Sequence, residues 1–264
     1  MRRRYLMQRF ALPALASLTL VACQKATDTS QLAPLPNGLL SVPPPPAPGS
    51  LAQLQDQQIF TATRQWKDSP RWKLAVNDDD YTLDHALRNF SCAAGFEIDT
   101  AKAPHLRQLA RDVLKLEAPT MVSLKRHFAR QRPFVGNDAP TCMVHKAALG
   151  PFRSYPSGHT MMGTTLGFLL ASLMPDHADA LYMRARIYGE SRIVCGAHWA
   201  SDVEAGFRIA AQQTFLILMR PEIKAQLPAV RKELDALRAE NGKPDAAQCA
   251  LEKEANAHSP NRLP

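Results

Sequence analysis

The stretch Ser157-Gly158-His159-Thr160-Met161-Met162-Gly163-Thr164-Thr165-Leu166-Gly167-Phe168-Leu169-Leu170-Ala171-Ser172-Leu173 decides the fold. Serine is a strong helix N-cap, and Pro156 just before it suits a first turn. From Met161 to Met174 the run is apolar, but it holds only fourteen residues and carries Thr164, Thr165 and Ser172. That is too short and too polar for a bilayer span and reads as a helix buried inside a bundle. Outward from it the apolar spacing stays helical, at Leu51, Leu54, Ile59 and Phe60 and again at Leu106, Leu109, Val113, Leu114 and Leu116. Further helices are predicted over 121–131, 177–194, 198–219 and 228–240, punctuated by Pro175, Gly196, Pro221, Pro228 and Gly242. With no convincing β-hairpin signal, the expected fold class is all-α, a single compact helical bundle.

The 264 residues are 45% hydrophobic, enough for a substantial core, and the 21 prolines crowd towards the N-terminus without a period, which excludes collagen-like and repeat architectures. Residues 1–22 have the form of a secretory signal, a basic start followed by the apolar run from Phe10 to Ala22. Leu20-Val21-Ala22-Cys23 resembles the lipobox of bacterial lipoproteins, which makes Cys23 the expected lipidation site. Gln24 after it favours the outer membrane over inner-membrane retention. Residues 23–50, with Pro43-Pro44-Pro45-Pro46, read as an extended tether. The folded domain is expected over 51–226, and 227–264 as an amphipathic helix with a frayed tail. The expected location is periplasm or outer membrane, with the lipid anchor as the one membrane contact.

Thirty-two basic against twenty-four acidic residues give +8, and Arg2, Arg3, Arg4 and Arg9 lie in the segment expected to be removed, leaving +4. So mild an excess suits an anionic small substrate and argues against nucleic-acid binding, which calls for a dense basic stripe. Beyond Cys23, the even set Cys92, Cys142, Cys195 and Cys249 fits an oxidising compartment. Three pairings are possible. Cys142 with Cys195 and Cys92 with Cys249 is favoured, because Cys142 and Cys195 both lie beside the motifs described next. There is no CxxC and no Cys/His spacing of a zinc site, and no metal or cofactor is expected.

Three clusters carry chemistry: Lys125 with Arg132-Pro133, then Tyr155-Pro156-Ser157-Gly158-His159-Thr160, then Ser191-Arg192 with His198 and Asp202. Each alone has an ordinary explanation, as a basic helix face, a helix start and an i,i+4 ion pair. In this order they resemble the tripartite signature of the PAP2 phosphatase and vanadium haloperoxidase superfamily. More narrowly the chain is similar to the bacterial class A non-specific acid phosphatases, on four segments: Pro45-Pro46-Ala47-Pro48-Gly49-Ser50, Arg132-Pro133-Phe134, Ser154 to Thr160, and Cys195-Gly196-Ala197-His198-Trp199-Ala200-Ser201-Asp202-Val203. The likeness covers about residues 40–226. Arg153 stands where class A members usually have Gly, adding a cation at the pocket mouth.

The residues support the same chemistry without the name. Phosphoryl transfer spreads negative charge over three oxygens, and Lys125, Arg132 and Arg192 can stabilise it. The helix start adds free backbone N–H groups, the Ser157 hydroxyl and, at Gly158, close backbone approach. His198 can present a neutral ring nitrogen to phosphorus while Asp202 holds its other N–H, and Asp202 is expected to raise the pKa of His198. The resemblance implies the same roles: His198 as nucleophile forming a phosphohistidine, Asp202 orienting it. His159 is the expected acid for the leaving oxygen and then base for water. The expected function is metal-independent hydrolysis of phosphate monoesters at acid to near-neutral pH, with homo-oligomerisation implied by the resemblance alone. Phosphatase action on lipid head groups and a vanadium-dependent haloperoxidase are the other readings. Asn77-Asp78-Asp79-Asp80 lacks the Gly and Glu of a calcium loop and reads as a loop into a helix. Tyr155 and Phe134 either wall the pocket or pack in the core.

Overall fold

A computed structural model of the chain describes residues 34–144 and 146–260. Cys23 and the signal segment lie outside the described residues. Within them the chain is helical and contains no strand: α1 Leu51–Arg64, α2 Pro70–Asn77, α3 Leu83–Arg88, α4 Ser91–Ala94, α5 Pro104–Phe128, α6 Gly158–Leu173, α7 Ala178–Val194, α8 Ala200–Leu218, α9 Pro221–Lys224, α10 Leu227–Glu240 and α11 Ala246–Ala255. The all-α expectation holds.

Helix α6 is the centre. Ser157 caps it by accepting from the Thr160 N–H at 3.2 Å, and α7, α8 and α5 pack around it. Its buried residues run from Thr160 to Leu173 with few gaps, as a helix apolar on all sides requires. Small residues set how closely α7 approaches: a Cβ on Gly163 would stand 2.2 Å from Cδ1 of Tyr188, and one on Gly167 2.6 Å from Cβ of Ala185. Gly163→Ala is therefore expected to force a rigid ring out of place and to destabilise the protein by about 1–3 kcal/mol. Urea unfolding reads this directly, and an unchanged midpoint would mean that α6 and α7 separate without loss.

The sequence reading sets a separate helix over 121–131. The structure runs one helix of 25 residues through Pro119 and ends it at Phe128, with Ala129 left-handed at φ 43°. Proline removes one backbone donor. Leu106, Leu109, Ala110, Val113, Thr120 and Leu124 are nonetheless all buried on one side of α5, and that continuous stripe keeps the helix whole. Because α5 stops early, Arg130 and Arg132 leave the helix and turn inward, both buried, where a solvated basic face would have kept them in water.

The C-terminal part is ordered further than a frayed tail. Val230, Leu234 and Leu237 of α10 join the main core, and α11 lies against α2 with Ala255 packed on Leu74 and Ile187. Cys92–Cys249 ties it down and Cys142–Cys195 closes the second bridge, with Cα separations of 5.5 and 4.7 Å, so the favoured pairing is the observed one. Both bridges suit an oxidising compartment. Before α1, the non-helical segment from Pro34 lies on the body. Val42 is buried, Pro36 O accepts from Gln213 at 3.0 Å, and Pro43 O accepts from the Tyr155 hydroxyl at 2.6 Å. Among the described residues no helix is long and apolar enough to cross a membrane.

Candidate active site

Asp202 sits in the first turn of α8, fully buried, and organises the site. Its Oδ2 accepts from the Ser154 hydroxyl at 2.5 Å and the Trp199 N–H at 2.9 Å, and faces Nδ1 of His198 at 3.3 Å. Its Oδ1 accepts from Nη1 of Arg130 at 2.7 Å. On the other side of the His198 ring, Arg132 Nη1 stands 3.0 Å from Nε2. A guanidinium only donates, so Nε2 must be the lone-pair nitrogen and Nδ1 carries the proton towards Asp202. The tautomer with its lone pair on Nε2 is thus imposed from both sides.

The expectation that Asp202 raises the pKa of His198 is corrected. His198 lies well below the usual histidine range, first because it is buried and then because Arg132, Lys125 and Arg192 surround it, against the Ser154 carbonyl. Asp202 cannot offset this, because its carboxylate is also engaged by Arg130, Ser154 and the Trp199 amide.

The three cations converge, each held by protein. Lys125 Nζ donates to the carbonyls of Pro156 at 2.6 Å, Arg153 at 2.7 Å and Ser154 at 3.4 Å, so it fixes the loop before α6 as well as supplying charge. Burial, followed by the charge of Arg132, lowers it to about 7. Besides His198, Arg132 donates to the carbonyls of Ala197, Gly150, Leu149 and Arg153. Arg192, near the end of α7, pairs through Nη1 with Asp79, while its buried Nε has no partner. Asp79 also accepts from the Val144 N–H at 2.9 Å, drawing the loop after α2 to the loop before α6.

His159, second residue of α6, stacks on Tyr188 with ring centroids 4.5 Å apart, while Tyr81 meets it edge-on at 6.3 Å. Its Nε2 is buried without a hydrogen-bond partner. Burial and then Arg192 push its pKa well below the usual range, against the Asp78 carbonyl. Ser157 is fully buried, its Oγ 2.8 Å from Oγ1 of Thr160. A Cβ on Gly158 would lie 3.2 Å from Met121 and 3.5 Å from Cε of Lys125, so glycine here lets α6 start against α5. Helix geometry leaves the Gly158 and His159 amides without intrahelical acceptors.

Lys125, Arg132, Arg153, Gly158, His159, Arg192 and His198 all border one cavity of about 420 Å³. Ser157 and Asp202 stand just behind its wall, in contact with Thr160 and His198. A larger groove of about 780 Å³ between residues 45–49 and Trp199 includes Arg132 but neither histidine. Neither Tyr155 nor Phe134 borders the cavity that holds the histidines; both pack in hydrophobic clusters. No group of three metal-ligating side chains occurs among the described residues.

Two residues that hold the site together escape the sequence reading. Arg130 bridges Asp202 to Asp56, donating to Asp56 Oδ2 at 2.7 Å through Nη2. Asp79 neutralises one of the three cations, and its place within an acidic run beside a helix end was the available signal.

Comparison with known proteins agrees with this geometry. Residues 113–221, from the middle of α5 to the start of α9, match the PAP2 superfamily. The chain is 41% identical to an acid phosphatase of Zymomonas mobilis over 82% of its own length and 83% of that protein. It is 34% identical to a non-specific acid phosphatase of Salmonella typhimurium over 75% and 80% of the two chains. With a non-specific acid phosphatase of Providencia stuartii it shares 30% identity over 76% and 82%. The chain belongs to the PAP2 superfamily.

Proposed function

We propose that this chain, an acid phosphatase and so a phosphomonoester hydrolase, works without a metal ion through a phosphohistidine on Nε2 of His198. The observation that carries the reading is the 3.0 Å approach of Arg132 Nη1 to that nitrogen, which puts a lone pair and a guanidinium at the same point of the cavity wall. An ester phosphate placed there meets Arg132, Arg192, the Lys125 charge and the free amides of the α6 N-terminus, a field that stabilises spread negative charge. His198 Nε2 bonds to phosphorus as the ester P–O bond breaks, and His159 gives the leaving oxygen its proton. Water then loses a proton to His159 and attacks phosphorus, and the P–N bond breaks to release phosphate. Asp202 and Arg130 hold the His198 ring. Export with a lipid anchor at Cys23 and assembly into homo-oligomers belong to the same proposal.

The pH dependence has a defined sign. The lowered pKa of His198 keeps the nucleophile unprotonated well into acid, so the acidic limb lies low. His159 must be protonated to act as the acid, and its pKa is lowered too. In the free enzyme kcat/KM should therefore fall as pH rises from acid. A bound phosphoryl dianion counters Arg192 and stabilises the imidazolium, so the falling limb of kcat should lie at higher pH than that of kcat/KM. Rate profiles on p-nitrophenyl phosphate with EDTA present, using the chain that begins after Cys23, test both points. Metal-independent turnover that vanadate inhibits is the expected result. A rate that climbs steadily to strongly alkaline pH would remove His159 from the acid role.

A further inference from the structure

Beyond the histidines the cavity continues along α5. Leu114, Glu117, Ala118, Met121 and Lys125 recur at steps of three and four residues, one stripe of the helix, and all five border the cavity. At 1.5 Å per residue, Glu117 stands roughly 12 Å along the axis from Lys125. Met161 and Met162 of α6 border the same space, so the end away from the cations is mainly apolar.

Glu117 is the exception in that wall. It is 4% exposed, and its hydrogen bond is the one it accepts from the Thr165 hydroxyl at 2.8 Å. Thr165 is itself 3.1 Å from Thr214 Oγ1. No cation pairs with Glu117 among the described residues, and no step of phosphoryl transfer uses it. Burying a carboxyl without a charged partner is costly, so its retention at a cavity wall points to a ligand group that completes it. Burial raises its pKa to about 7, against the Thr165 hydrogen bond, so in acid the carboxyl is neutral. In that form it both donates and accepts, which matches a hydroxyl better than an ammonium.

We propose that Glu117 and the apolar stripe of α5 form a leaving-group pocket for phosphomonoesters whose apolar stem ends in a hydroxyl, which pairs with the Glu117 carboxyl. The proposal rests on the phosphatase reading above. The spacing from Lys125 suits a saturated stem of about eight carbons. Methionine and leucine would cover the stem, and the hydroxyl would replace water at the buried carboxyl.

The test compares kcat/KM at acid pH for octyl phosphate, its ω-hydroxy counterpart and methyl phosphate on the full chain. The hydroxylated ester should exceed octyl phosphate about tenfold in the native protein. Glu117→Leu should erase that ratio. Ala118→Phe, at an exposed position on the cavity rim, should lower both long esters about tenfold or more relative to methyl phosphate. The native ratio and the Ala118→Phe result do not depend on Glu117→Leu folding. Equal rates for the two octyl esters in the native protein, or a preference that survives Glu117→Leu, would overturn the leaving-group pocket alone. Failure to turn over any phosphate ester, p-nitrophenyl phosphate included, would overturn the phosphatase reading with it.

Discussion

His198→Ala is expected to lower turnover of p-nitrophenyl phosphate by roughly four to six orders of magnitude, the scale set by removing a covalent nucleophile. The size follows from what else the cavity contains. Its other imidazole, His159, is stacked on Tyr188 and lies under the field of Arg192. Lys125 is bound by three carbonyls and Arg132 by four. In acid both are cations, and neither offers a lone pair to phosphorus. The fold should survive the change, since Arg132 keeps its carbonyl acceptors and Asp202 keeps Arg130, Ser154 and the Trp199 amide. An intact thermal transition with lost activity is therefore the expected pair of results. Acid- and alkali-quenched samples turning over labelled substrate should show an acid-labile, alkali-stable phosphoenzyme in the native protein and none in the variant. Residual turnover above about one part in a hundred would place the nucleophile elsewhere.

What was legible in the sequence divides along the range of each interaction. Helix α6 could be read because its signals are local, a Ser157 cap followed by an apolar run. The motif residues could be read because each cluster is contiguous, and both disulfide pairs follow from the place of Cys142 and Cys195 beside those clusters. The separate helix expected over 121–131 failed for the same reason: packing of α5 residues on both sides of Pro119 keeps one helix whole and ends it at Phe128. Arg130 was unreadable. In a basic run its spacing suggests a solvated face, yet its partners Asp56 and Asp202 lie 74 residues before and 72 residues after it. Asp79 likewise meets Arg192 across 113 residues. Ion pairs at such separations leave no periodic trace, and they determine how much charge each group at the cavity feels. Hence the residues that gather at the cavity were legible while the direction of the His198 shift was not.

Arg130→Met is expected to destabilise the protein by about 3–5 kcal/mol, because it leaves two buried carboxylates without their cation. Asp56 and Asp202 are 3% and 0% exposed, and Arg130 supplies one nitrogen to each. Urea unfolding measures the loss. Arg130→Lys should recover only part of the loss, since one ammonium lacks the rigid fork that reaches Asp56 and Asp202 together. The site should respond in a way that destabilisation alone would not produce. With Arg130 gone, more of the Asp202 charge falls on Nδ1 of His198, the imidazole is easier to protonate, and the acidic limb of kcat/KM should move to higher pH. A native-like unfolding midpoint with an unmoved acidic limb would mean that water or another group satisfies Asp202, and that the bridge from Asp56 through Arg130 has no hold on the nucleophile.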